Sequence, residues 1–373
     1  MPEAPWNEGE EPLSFLYNSW YCAGWSGDLK TDPIGIKLLD QELVLYRKQD
    51  GAVVCLTGIC PHRFAPLWRG AVVGDAIRCG YHGLEFGAEG RCIRNPHGSG
   101  AIAPGAHIRA YPVVEKSGAL WVWMGDPESL DESQIVAFDF VEDRARWSGT
   151  TGYLRINANY QLVIDNLLDL THSAYIHVNT VGVSADDWIG ETKMEYNFHT
   201  DGRVINSDYI FRNSPPTPLF ALFAGKDVGD VHVPMALHPA SSLILDLTMT
   251  DLGQPKNEGV HMPSAHLLAP ETESTCHYFY AISRSEKLGD DKITAAMGEI
   301  VRRAFVDEDA PMIQDVQGVM GDRDFFRMQP LILETDKAAV YARRTLAKLI
   351  RQERSPTDEG PATAEKERVE ANV

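Results

Sequence analysis

Between Phe15 and Trp123 the apolar residues come in short runs, interrupted every few positions by turn formers. IGIKLLD, ELVLYRKQDG, AVVCLTGIC and ALWVWMGDP each hold about one strand, with Gly, Asp and Pro between them. So many short strands in about a hundred residues predict a small all-β domain. A looser stretch, GDPESLDESQI, then reads as a boundary. Beyond it the periodicity changes. INANYQLVIDNLLDLTHSAYIHV reads as one long helix, with Asn157 or Asn159 placed to cap its start. Tyr160, Leu162, Val163, Ile164, Leu167, Leu168 and Leu170 cover nearly its whole circumference, the pattern of a buried helix. Asp165, Asn166, Asp169, His172 and His177 on the same segment therefore need partners. RVINSDYIF, SSLILDLTMT, HMPSAHLLAP and CHYFYAISR predict an antiparallel sheet, and residues 289–318 and 336–352 read as helices. The fold class is α+β. Its expected organisation is an acidic tail over 1–14, a β-domain over 15–130, a second domain over 131–352 and a disordered tail over 353–373.

The chain has 373 residues, 44% hydrophobic and 23% charged, which suits two globular domains with real cores. The formal net charge is −19, and the tails carry only part of it: residues 1–11 hold four Glu and no base. An acidic body disfavours nucleic acid and anionic membranes, both of which are bound through Lys and Arg. No apolar run is long enough to span a bilayer, and MPEAPWNEGEE lacks the features of a signal peptide, so the expected location is cytoplasmic. In that compartment the six cysteines, at 22, 55, 60, 79, 92 and 276, are not expected to form a disulfide framework. Cys22, Cys55, Cys92 and Cys276 have no His or Cys at useful spacing and read as buried thiols. His97, in NPHGSG, reads as a loop or interdomain residue.

Cys60 and Cys79 differ. CPHRFAPLWRG and RCGYHGLEF give C-x-H, sixteen residues, then C-x-x-H. A Rieske [2Fe–2S] centre needs two thiolates on one iron and two imidazoles on the other. Cys60, His62, Cys79 and His82 supply one Cys and one His from each of two loops, with Gly70, Gly80 and Gly83 allowing tight turns. A structural zinc would accept the same ligands, but zinc fingers pair Cys with Cys and His with His within a loop.

A second constellation lies in DNLLDLTHSAYIH. An oxygenase needs iron(II) held by two His and a carboxylate with positions left open. His172 and His177 are five residues apart, a rotation of about 140° on a regular helix. They converge only if the helix ends or distorts near Tyr175. Asp169, one turn before His172, would be a costly buried carboxylate unless it met a metal ligand's N–H or a cation. Asp307, Glu308, Asp309 and Asp315 all offer a third ligand, and spacing does not choose among them.

With both constellations in place, the chain resembles the Rieske non-haem iron aromatic oxygenases. Within them it is similar to the vanillate demethylase-like group, on its dicamba O-demethylase branch and near the chloroacetanilide-type N-dealkylases. The strings that carry this are CPHRFAPL, CGYHGLEF, NPHGSG, NYQLVIDNLLDLTHSAYIH and LLAPETESTCHYF, and the likeness runs from about Phe15 to Ile350. It implies a Rieske [2Fe–2S] domain followed by a helix-capped antiparallel sheet that holds mononuclear Fe(II). It implies Cys60, His62, Cys79 and His82 as cluster ligands, and His172, His177 and Asp309 as iron ligands. Asn166 would stand beside the iron, and Asp169 would bridge to a cluster-ligand His of a neighbouring subunit in a head-to-tail homotrimer. Of the polar residues that hold an aromatic carboxylate in this group, only His266 remains, without a partner; an Asn and a Trp give way to Leu245 and Ile300. Gln314 stands where Glu is common. The implied activity is O₂-dependent O- or N-dealkylation of a small, largely neutral aromatic: hydroxylation beside oxygen or nitrogen gives a hemiacetal or hemiaminal that collapses to an aldehyde. No GxGxxG follows a strand, so a separate NAD(P)H-dependent reductase, with or without a ferredoxin, is implied. The alternatives are an aromatic ring-hydroxylating dioxygenase and a Rieske electron carrier without mononuclear iron. Arg63, Arg69, Arg78, Arg91 and Arg94 surround the cluster motif and are expected to meet the redox partner.

Overall fold

The structure is a computed structural model that describes residues 15–184 and 193–354. The expected tails, 1–14 and most of 353–373, lie outside the described residues.

The N-terminal half is built from three small antiparallel sheets. Trp20–Trp25 and Val113–Lys116 flank Ala119–Trp123. Ile34–Leu38, Gln41–Arg47, Val53–Thr57 and Ala110–Tyr111 form a four-stranded meander. Ala71–Val73, Ala76–Arg78, Glu85–Phe86 and Cys92–Arg94 form the third sheet, which carries one of the two Cys/His loops. A compact core of Val44, Tyr46, Leu56, Leu67, Ile77 and Phe86 lies beneath both loops.

The second half is a seven-stranded, fully antiparallel sheet. Its spatial order is Ser148–Ile156, Thr275–Arg284, Val260–Thr272, Ser242–Thr250, Gly229–His238, Val204–Ser214 and Lys193–Asp201. The helices Tyr160–Leu168, Asp291–Arg302 and Lys337–Arg354 pack against it, and Ala310–Met320 packs on the first of them, so the α+β organisation expected from the sequence is the one observed. Strands 148–156, 193–201 and 229–238 are absent from the sequence reading. The first two are polar edge strands with weak alternation. The third contains Pro234, which cannot donate to the ladder and sits where the bonding to Ser242–Thr250 is interrupted.

The long helix expected over the DNLLDLTH segment is instead three pieces. Asn159 caps Tyr160–Leu168 by accepting from Gln161 N at 2.9 Å. At Asp169 the backbone turns extended (φ −108°, ψ 96°) and ends the helix. The Asp169 carboxylate then accepts from Thr171 N at 3.0 Å and Thr171 Oγ1 at 2.7 Å, starting a 3₁₀ turn over Leu170–His172 that runs into Ser173–Ile176. One break thus precedes His172, and the second helical piece ends at Ile176, one residue past Tyr175, where the spacing of the two histidines required it. The helix expected over 289–318 is continuous in space but opens into a π-helical turn over Arg303–Asp309.

The two halves share one hydrophobic core, which runs from Trp20 and Trp121 through Leu154 and Ile156 to Leu267 and Tyr278. Backbone bonds stitch the junction: Leu39 N to Pro270 O at 2.8 Å and Asp40 N to Glu271 O at 3.0 Å. His277 Nε2 also lies 2.9 Å from Lys37 O.

Candidate functional site: two metal-binding constellations and a cavity

The Cys60 and Cys79 loops have the same local design. Phe64 N donates to Cys60 O, and Gly83 N donates to Cys79 O, each closing a tight turn that holds the loop's His. At Gly83 (φ +72°) the chain is in the left-handed region. At Gly70 a Cβ would stand 1.9 Å from Arg78 O, so only glycine lets the two loops close on each other. The thiols of Cys60 and Cys79 are buried, and the His62 and His82 rings lie 4.5 Å apart at the surface.

The thiols of Cys60 and Cys79 lie on the inner side of the two loops and the paired rings of His62 and His82 on the outer side. A two-iron cluster fits, with sulfur ligands inside and imidazoles outside. His82 Nδ1 is buried with no protein partner, as a ligand nitrogen turned inward would be. His97, exposed on the adjoining loop, places Nε2 2.7 Å from His82 O and so supports that histidine's backbone. Of the five arginines, Arg78 and Arg94 are both committed to Glu85, at 2.7 and 2.8 Å. Arg63, Arg69 and Arg91 are exposed.

At the second constellation the short helix Ser173–Ile176 ends at His177 (φ −110°, ψ 18°), and the His172 and His177 ring centroids stand 5.2 Å apart. Asp309 Oδ1 lies 3.1 Å from His177 Nε2 and 3.6 Å from His172 Nε2, and it accepts from Asn166 Nδ2 at 3.0 Å. The outward nitrogens are both engaged. His177 Nδ1 is 2.7 Å from Glu308 Oε2, which also accepts from Thr180 Oγ1, and His172 Nδ1 is 2.5 Å from the Asp169 carbonyl. Carbonyl and carboxylate oxygens only accept, so each ring carries its proton on Nδ1 and turns the Nε2 lone pair inward. Two lone pairs and a carboxylate oxygen then converge on one point, which a divalent cation satisfies. Burial pushes the His172 pKa down. At His177 burial acts the same way, but Asp309 and Glu308 outweigh it and raise the value.

Asp169 thus serves His172 through its main-chain carbonyl rather than its carboxylate. Oδ1 caps the next turn, and Oδ2 has no partner among the described residues. Of the other acidic candidates, Asp307 pairs with Arg302 at the surface and Asp315 is exposed. Gln314 accepts from Asn157 N, away from the site. The polar residue on the buried helix that the sequence left unpaired, Asp165, is clasped by Arg343 at 2.6 Å, with the guanidinium over the Phe325 ring. Nothing in the local pattern pointed to Arg343, which is 178 residues away.

A cavity of about 120 Å³ opens over these residues. Its wall is mainly Leu167, Leu245, Leu247, Met262, Val301 and Phe305, with Ser264 and His266 on the sheet side. Leu245 is where the sequence placed it. Ile300 does not line the cavity; it packs into the core, and its neighbour Val301 takes the wall position. His266, expected to lack partners, has two: Ser264 Oγ at 2.9 Å from Nε2 and Tyr278 Oη at 2.6 Å from Nδ1. Burial pushes its pKa down to about 4.

Known proteins match about nine-tenths of the chain. Residues 19–112 match the model of the Rieske [2Fe-2S] domain, and residues 156–352 match that of the vanillate O-demethylase oxygenase C-terminal domain. The chain is 33% identical to the oxygenase component of dicamba O-demethylase from Stenotrophomonas maltophilia, over 90% of this chain and 98% of that one. It is 32% identical to the oxygenase component of chloroacetanilide N-alkylformylase from Rhizorhabdus wittichii, over 92% and 97%. The crystal structure of dicamba monooxygenase bound to dicamba superposes with a TM-score of 0.82 at 32% identity, covering 91% of this chain and 99% of that one.

Proposed function

Because the chain belongs to the Rieske non-haem iron oxygenases of the vanillate O-demethylase group, we propose that it removes an O- or N-alkyl group from a small, neutral aromatic compound. It is the oxygenase component of a multicomponent monooxygenase and works with a Rieske [2Fe–2S] cluster, a mononuclear iron and electrons from a partner protein. When bound, the iron supplies O₂ activation and the cluster supplies electrons. Cys60, His62, Cys79 and His82 would hold the cluster; His172, His177 and Asp309 would hold the iron, leaving positions open toward the cavity. Asn166 fixes the Asp309 carboxylate, and Glu308 fixes the His177 ring. The apolar wall orients the ring of the substrate and excludes water from the reacting alkyl carbon.

The observation that carries this reading is the cavity itself: apolar, with a volume on the scale of one aromatic ring, free of Arg and Lys among the described residues, and open to the three converging ligand atoms. The test is turnover with a surrogate reductase and a panel of methoxybenzenes, N-alkyl anilides and benzoates, with aldehyde release as the readout. Formaldehyde from neutral ethers or anilides is the expected result. Oxygenated rings with no aldehyde would make the enzyme a ring hydroxylase instead.

We further propose that the active form is a homotrimer in which Asp169 bridges the iron ligand His172 to a cluster-ligand His of the next chain. The unpartnered Oδ2 supports this, as do the exposed Phe64 and Tyr81 beside the cluster, 77% and 65% accessible in the single chain. Asp169→Asn should keep both metal centres loaded while cluster-to-iron electron transfer collapses. Loss of iron in that variant, or full activity from a dilute monomer by sedimentation velocity, would rule the bridge out.

A further inference from the structure

On the sheet wall of the cavity, Ser264 and His266 are two residues apart on the strand Val260–Thr272 and so face the same side. Tyr278 stands diagonally across on Thr275–Arg284, where Leu268 is its register partner and Tyr280 is that of His266. All three are buried: Ser264 is 4% exposed, His266 3% and Tyr278 2%. Their polar atoms form a line, Tyr278 Oη to His266 Nδ1 at 2.6 Å and His266 Nε2 to Ser264 Oγ at 2.9 Å.

The line has a direction. Among the described residues Tyr278 Oη has no other partner, so its proton is satisfied only by donation to His266 Nδ1. Burial and the nearby Asp309 charge hold that phenol proton in place well above its ordinary range. A neutral imidazole that accepts at Nδ1 carries its proton on Nε2 and donates there. Ser264 Oγ therefore accepts, and its own proton has no acceptor among the described residues. The hydroxyls of Ser173 and Ser214, also in the wall, give their protons to the carbonyls of Leu170 and Pro215. Thr217 Oγ1, the remaining wall hydroxyl, accepts from Phe220 N and is likewise left with a proton to give, but Ser264 alone of these hydroxyls receives a bond from a buried imidazole.

We infer that Ser264, polarised by His266 and Tyr278, is the hydrogen-bond donor with which the cavity recognises a neutral acceptor oxygen of its substrate, such as an amide carbonyl. This rests on the reading of the chain as an aromatic dealkylase and narrows its substrate class. A carboxylate could also accept from Ser264, but among the described residues no Arg or Lys lines the cavity to offset its desolvation. The Ser–His distance resembles that of a nucleophile and its base, yet a donating Nε2 cannot take the serine proton, so the pair binds and does not attack. Ser264 is a binding residue, and His266 and Tyr278 are positioning residues that act through it.

The test is equilibrium binding by calorimetry on the metal-loaded oxygenase without reductase. The probes are N-methylacetanilide and N-isopropyl-N-methylaniline, which replaces acetyl by a branched group of similar shape without oxygen, together with 2-methoxybenzoate. The wild type should prefer the acetanilide. Ser264→Ala should weaken it by about threefold to tenfold and leave the oxygen-free analogue unchanged. Tyr278→Phe frees the imidazole to adopt either tautomer and should reduce the preference part of the way, whereas loss of packing alone would weaken both neutral probes equally. An unchanged ratio in Ser264→Ala, no binding of the acetanilide, or tighter binding of the benzoate by the wild type overturns the inference. Both neutral probes carry an N-methyl group, so formaldehyde release under turnover tests the dealkylase reading separately. Binding that follows Ser264 with no aldehyde from any ether or anilide would sink that reading and leave the donor intact.

Discussion

Glu308 and Asp309 grip opposite nitrogens of the same ring: Glu308 lies 2.7 Å from His177 Nδ1, and Asp309 lies 3.1 Å from Nε2. Consecutive carboxylates thus have different tasks, one completing the convergent set and one orienting a member of it. Their substitutions should separate accordingly. Asp309→Ala should keep the visible cluster spectrum and lose mononuclear iron and turnover. Glu308→Gln still offers an amide oxygen to Nδ1 but not a charge, so iron affinity should fall by roughly 10- to 100-fold, the usual effect of losing an outer carboxylate. Iron content after titration with a chelator measures both. Equal iron loss in the two variants would mean that Glu308 is itself a ligand.

The element that makes this pairing possible is the π-helical turn Arg303–Asp309. Successive residues of a regular helix are about 100° apart, and a wider turn lets neighbours act on one ring together. Val306, exposed within this turn, is the residue to remove. Its deletion should restore an ordinary helical count, swing Asp309 out of line, and empty the iron site while the cluster spectrum persists. Retained iron would show that the turn is incidental. The same element marks what the sequence could convey. Two His and an acidic cluster were visible in DNLLDLTHSAYIH and AFVDEDAPMIQDVQ, but hydrogen bonds that widen a turn leave no residue signature, so spacing alone could not select Asp309. The break at Asp169 was hidden for a different reason. An apolar run predicts burial, not continuity, and Asp caps a new turn as readily as it pairs with a cation. The Cys/His loops were the most legible part, because their chemistry is local and Gly70 and Gly83 mark the tight geometry. Partners that depend on tertiary contact, Arg343 for Asp165 and Tyr278 for His266, were not.

Over the whole molecule, a net charge of −19 contrasts with three exposed arginines, Arg63, Arg69 and Arg91, beside the cluster loops. Arg78 and Arg94 stand apart from this set, because Glu85 holds them both. An acidic electron donor would be steered to that patch and repelled elsewhere, an effect on association rate that salt weakens. Replacing the three by Ala should slow the bimolecular reduction of the cluster and flatten its dependence on ionic strength; replacing Arg78 and Arg94 should do neither. Rates that ignore both salt and the triple change would place the donor on another face. The junction between the halves has a separate consequence. One core runs through both, and the backbone bonds Leu39–Pro270 and Asp40–Glu271 cross the seam, so the cluster domain is bolted to its chain rather than hinged on it. It cannot carry charge by swinging between donor and iron. In the trimer proposed above, delivery would then be tunnelling over a fixed gap, which friction from the solvent does not retard. Added sucrose should therefore slow the encounter with the donor and leave the first-order cluster-to-iron step at its rate in plain buffer.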